Sequence, residues 1–131
     1  MIFTSYFAQL KNLPVNTIPV AICGKSPDWY TGFEYKKLAP KWSFFKEWKI
    51  NHDNDYYIDH YQKEVLDKLN PDEVVTDLLR FLEISNQLQS HIVLLCYEKP
   101  NDFCHRHLVA QWLNNHGFNC EELDISLIDE K

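Results

Sequence analysis

His91-Ile92-Val93-Leu94-Leu95-Cys96-Tyr97-Glu98-Lys99-Pro100-Asn101-Asp102-Phe103-Cys104-His105-Arg106 is the stretch that decides the fold. Positions 91 to 97 form the clearest strand signal, because Ile92 through Cys96 are apolar on both alternating faces. A strand of that kind is covered on both sides, as the interior strands of parallel sheets are. After a short loop, Asp102 is placed to cap a helix that runs to Asn115 or His116, where Gly117 supplies the stop.

Upstream, Ile2 to Phe7 and Thr17 to Cys23 read as two further strands. Pro19 is tolerable there on an edge or near a strand's start. A long irregular segment is expected from Gly24 to about Asn54. Tyr57, Ile58, Tyr61, Val65, Leu66 and Leu69 then recur at helical spacing. Asn70-Pro71-Asp72-Glu73 combines a cap, a proline at the first helical position and an acidic first turn. Val74, Val75, Leu78, Leu79 and Leu82 give that helix its buried face, and Phe118 to Leu123 reads as a last strand. Strands separated by helices predict a single α/β domain over 1–131, with three layers and a mainly parallel, Rossmann-like sheet of four to five strands. The strand order is not readable at this level.

The chain of 131 residues carries 19 acidic and 13 basic side chains, a net charge of −6. That balance argues against bulk electrostatic attachment to nucleic acid or to an anionic membrane. It leaves room for a small basic pocket. No apolar run approaches the roughly 20 residues that span a bilayer, so no membrane partner is expected. The four cysteines, Cys23, Cys96, Cys104 and Cys120, follow no secretory leader, and reduced thiols in a cytoplasmic setting are the expectation.

Chemistry concentrates where the buried strand passes into the next helix, the crevice in which ligands of open α/β sheets usually bind. Cys96 and Glu98 are two apart and project to one side if the strand continues that far. Stepping back from Leu108, Val109, Trp112 and Leu113 places His105 near the centre of the helix's buried face. Cys104 and Arg106 fall on its flanks, and His107 is predicted to point to solvent. At a helix N-terminus the dipole disfavours an imidazolium and favours a thiolate or a bound anion. Arg106, one of only two arginines, adds a bidentate donor for phosphate or carboxylate.

Those residues, a buried strand ending in Cys96-x-Glu98 and a helix opening on Cys104-His105-Arg106, resemble the signature of the domain of unknown function 488 family. Weaker similarity extends to the first strand and to Pro27-Asp28-Trp29-Tyr30-Thr31-Gly32. The chain departs from the family where many members have a Gly-containing turn after the first strand, since it has Thr4-Ser5-Tyr6 there. It also has Ile22-Cys23-Gly24 where many carry Asp-x-Arg. The resemblance implies a fold and a site more than a reaction.

The functional reading is an enzyme or ligand-processing domain acting on a phosphate-bearing small molecule, a nucleotide or a nucleic-acid end. In it Cys104 or Cys96 is the nucleophile, His105 the base, Glu98 the orienter or acid, and Arg106 the anion clamp. Trp29, Tyr30 and Ser5 join Arg106 as candidate ligand contacts, and loss of His105 or Arg106 is expected to remove activity while sparing the fold. A phosphatase-type Cys-x5-Arg loop does not match, because position 102 is Asp. The competing readings are a structural Glu98–Arg106 ion pair and a non-catalytic nucleotide, nucleic-acid or protein-binding module. Eleven of the nineteen aromatic residues fall between Trp29 and Tyr61, interleaved with lysines from Lys36 to Lys49. They form either a cap on the sheet or a stacking wall for a nucleobase, with Trp29 and Tyr30 or Trp42 as candidates. No cofactor is expected. A metal is discounted because adjacent Cys104 and His105 diverge by about 100° around a helix, and because no Cys-x2-Cys or His-x3-His spacing supports zinc.

Overall fold

The computed structural model describes residues 1–98 and 103–123. Five strands, β1 (Ile2–Tyr6), β2 (Thr17–Ala21), β3 (Phe33–Glu34), β4 (His91–Cys96) and β5 (Cys120–Glu122), form one sheet in the order β3-β2-β4-β1-β5. Every neighbouring pair is parallel. β4 is therefore the central strand, with Ile92 registered against both Ile2 and Ile18. Its doubly apolar sequence has that cause: both its edges are hydrogen-bonded and both its faces are covered.

The helices are α1 (Trp42–Asn51), α2 (Asn54–Glu64), α3 (Pro71–Ile84) and α4 (His105–Asn115). Parallel strands need right-handed crossovers. The connections from β3 to β4 and from β4 to β5 both run toward the β5 edge, so they lie on one face. Phe44, Tyr61, Leu78 and Leu113, one from each helix, accordingly join a single buried cluster with Val20, Ile92 and Leu94. The reverse-running connections cover the other face with a 3-10 segment, Phe7–Asn12. There Phe7 packs with Val93, Leu95 and the partly buried Tyr30.

α3 forms as its sequence predicts. The Asn70 side chain accepts hydrogen bonds from the backbone of Asp72 and Glu73, and Pro71 opens the helix. Asn70→Ala is expected to cost about 1 kcal/mol through loss of this cap. The shift should appear in the urea midpoint with no change in slope.

Two expectations change. The segment from Gly24 to Asn54 is not irregular throughout, since it contains β3 and α1. Neither end of α1 is marked in the sequence: Lys41 makes no side-chain cap, and His52 ends the helix at φ 53 without a glycine. Pro19 lies within β2, which is interior to the sheet. It is tolerated because β3 pairs only Val20 and Ala21, so β2 still behaves as an edge at Pro19. The Tyr30 hydroxyl donates to the Pro19 carbonyl on that side.

Candidate active site

The connections leaving β2 and β4 diverge, one toward β3 and the other through α4 toward β5. A topological switch point of this kind opens a crevice at the carboxyl ends of the two strands. Here it is a cleft of about 860 Å³, within the range of small-molecule sites. Cys23 and Gly24 after β2 and Cys96, Tyr97 and Glu98 at the end of β4 line it. So do Cys104 and His105 at the start of α4, beneath a wall of Trp42, Phe45, Trp48, Tyr57 and Phe103. Lys25 and Lys49 supply positive charge at the lining.

Cys104 is the N-cap of α4, with extended backbone at φ −154 and ψ 143. The cap expected at Asp102 lies outside the described residues. His105, the first helical residue, is buried and faces inward as the helix phase requires. Its Nε2–H donates to the Ile22 carbonyl at 2.7 Å, which leaves Nδ1 as the lone-pair nitrogen, 3.9 Å from Cys104 Sγ. Burial pushes the imidazole pKa down to about 4, and the neighbouring Arg106 and His107 add to the effect against the pull of the Ile22 hydrogen bond. The ring is neutral at ordinary pH, chiefly through desolvation.

The structure joins Cys96 and Cys104 as a disulfide, in place of the reduced pair expected from the sequence. The free thiols of Cys23 and Cys120 are buried. Burial raises both pKa values, that of Cys120 to about 12, so neither is an activated nucleophile.

Arg106 is not placed as a ligand clamp. Its side chain is 0 % exposed, with Nε and Nη2 each 3.0 Å from a carboxylate oxygen of Glu122. Nη1 donates to Cys96 Sγ at 3.3 Å and to the Glu98 carbonyl, and the guanidinium lies over the Tyr6 ring. The structural ion pair anticipated for Arg106 exists, but its acid is Glu122 and not Glu98. Glu98 offers only its carbonyl and keeps its side chain exposed at the cleft. Thr4 Oγ1 also donates to Glu122, at 2.6 Å. Sequence reasoning missed Glu122 because its partner is reached only through the β1–β5 pairing. The one signal was its alternation with buried Cys120.

The other candidates are dispersed. Ser5 is buried in β1, away from the cleft lining, and its hydroxyl has no hydrogen-bond partner among the described residues. Trp29 and Tyr30 pack against Phe7 on the opposite face of the sheet. The Tyr30 hydroxyl is used on the Pro19 and Phe33 carbonyls. Of the stacking candidates, Trp42 lines the cleft. Among the interleaved lysines, Lys36 pairs with Glu34 and Lys37 with Asp77, while Lys49 sits over the Phe45 ring. His107 is half-buried, not turned to solvent.

Fold and site together define an all-parallel α/β domain with two cysteines and a neutral histidine at the floor of a switch-point cleft. The profile of DUF488-N3a, the active DUF488-N3 subclade, matches residues 6–117. The chain belongs to the DUF488 family. Comparisons with curated proteins and with solved structures gave no match. Among the described residues, no helix is long and apolar enough to cross a membrane.

Proposed function

We propose that the cleft binds and processes a phosphate-bearing small molecule with a flat ring, of which a nucleotide is the simplest, and that Cys104, His105 and Cys96 are its chemistry-bearing floor. The observation that carries this reading is the juxtaposition in one cleft of an aromatic wall, two lysines and the Cys/His group. A flat ring gains stacking and burial against the aromatic wall, while Lys25 and Lys49 favour an anionic substituent. Glu98 is the carboxylate at the same lining. In this reading Arg106 is a positioning residue that holds Cys96 and the Glu98 backbone, and it makes no contact with the ligand.

Titrating ATP and GTP into the protein should quench tryptophan fluorescence saturably. Trp42 is 63 % exposed, so Trp42→Ala should spare the fold. It should weaken binding by roughly tenfold, the effect of losing one stacking partner. Trp29→Ala, on the opposite face, should bind as wild type. Absence of saturable binding, or equal losses in the two variants, would reject this site.

A further inference from the structure

The geometry points to a site for a thiophilic divalent metal ion of the zinc class, held by Cys96 Sγ, Cys104 Sγ and His105 Nδ1. The three ligand atoms lie within 4.8 Å of one another. Two grounds discount a metal in the sequence: the spacing matches no common zinc motif, and adjacent helical residues point apart. The second fails because Cys104 sits at the extended N-cap and only His105 is helical, and the first is met by the fold, which brings the end of β4 to the start of α4. The two side chains therefore converge.

The surroundings match what such an ion requires. Metal-bound histidines donate their second ring N–H to a carbonyl or carboxylate, which fixes the tautomer and the ring's direction. Ile22 supplies that carbonyl, and the free Nδ1 lone pair is on the sulfur side. Arg106 Nη1 lies 3.3 Å from Cys96 Sγ, placed to stabilise the thiolate that reduction of the disulfide releases. The Cα atoms of Cys96 and Cys104 are 7.4 Å apart. Disulfides usually span about 4.4–6.8 Å between Cα atoms, so the wider backbone spacing lets the two sulfurs separate to either side of an ion once the bond between them is reduced.

The chemistry balances in two steps. Two equivalents of a small-molecule thiol reduce the Cys96–Cys104 disulfide to the dithiol and leave as their own disulfide. The metal dication then replaces the two thiol protons, which pass to solvent, and His105 adds a neutral nitrogen. Two thiolates and one imidazole make three protein ligands, and all three residues line the cleft. Among the described residues no fourth ligand joins these three, which leaves a position on the cleft side, the pattern of catalytic rather than structural zinc. This inference rests on the Cys/His group being the working floor of the cleft and adds the cofactor class that floor takes.

The test uses the full chain reduced with a phosphine, with Co2+ as a spectroscopic probe and Zn2+ as competitor. One equivalent of Co2+ should produce thiolate-to-metal charge-transfer absorption in the near ultraviolet and tetrahedral bands in the visible, and Zn2+ should abolish both. His105→Gln should weaken Co2+ binding by about tenfold or more, and Cys23→Ser should leave the spectrum unchanged. Alkylation of the wild type read by mass spectrometry needs no variant: Zn2+ should protect Cys96 and Cys104, and a chelator should expose them. A reduced wild type without these bands, or metal that leaves both cysteines open to alkylation, overturns the proposal. Failure of the metal experiment with intact nucleotide quenching removes the metal alone. Metal binding without any nucleotide response removes the ligand reading alone.

Discussion

Arg106→Leu is expected to lower folding stability by about 3–5 kcal/mol, the usual cost of removing one member of a buried ion pair. The guanidinium bridges α4, the end of β4 and β5 through Cys96, Glu98 and Glu122. Without it the Glu122 carboxylate, only 26 % exposed, keeps the Thr4 hydroxyl and loses its countercharge. For a domain of this size the melting temperature should fall by roughly 10–20 °C. Arg106→Lys should recover only part of the loss, because an ammonium cannot pair with both Glu122 oxygens and reach Cys96 as well. The double variant Arg106→Leu/Glu122→Leu should be more stable than Arg106→Leu alone, since it leaves no unpaired charge. Urea denaturation followed by circular dichroism decides it. A single-variant loss below about 0.5 kcal/mol, the range of ordinary surface changes, contradicts the role given to Arg106. The expectation that Arg106 could be removed without harm to the fold is thus replaced by its opposite.

Acid should destabilise the protein through His105. The imidazole pKa is about 4 in the folded chain, against an ordinary value of 6.5, with burial as the main cause. Above pH 6.5 both folded and unfolded states hold a neutral ring, and this group adds no pH dependence. As the pH falls from 6.5 toward 4, the unfolded state takes up a proton that the folded state refuses. Stability should drop over that window by about 3 kcal/mol and level off below it. Measured on metal-free, oxidised protein, His105→Gln should flatten the profile between pH 6.5 and 4. The carboxylates of Glu34 and Asp77, lowered by hydrogen bonds from Ser26 and Tyr35, lose stabilisation only as the pH falls below their ordinary range. An unaltered slope in the variant would show that His105 is not the titrating group.

Much of the fold was legible in local pattern. β4 announced itself as an interior strand by being apolar on both faces, and it is central in the sheet. α3 was marked by Asn70 and Pro71, and the phase of α4 correctly turned His105 inward. α1 was not legible. It buries Phe44 among exposed lysines and aromatic side chains, and its ends carry none of the usual cap residues.

The candidate site divides along the same line. Its location at the strand–helix junction and the inward turn of His105 followed from sequence alone, because alternation and helical phase depend only on near neighbours, whereas Cys104, read as a helical residue on the flank, stands at the extended N-cap. Tertiary structure alone decided the order β3-β2-β4-β1-β5, and with it the opening of the crevice between β2 and β4. It gave Arg106 to Glu122, chose Trp42 over Trp29 and Tyr30 for the cleft wall, and set Ile22 to orient His105 across a separation of 83 residues. These are pairings between distant segments. A periodicity shows which face of an element is buried, but the partner on that face is selected only when the whole sheet closes.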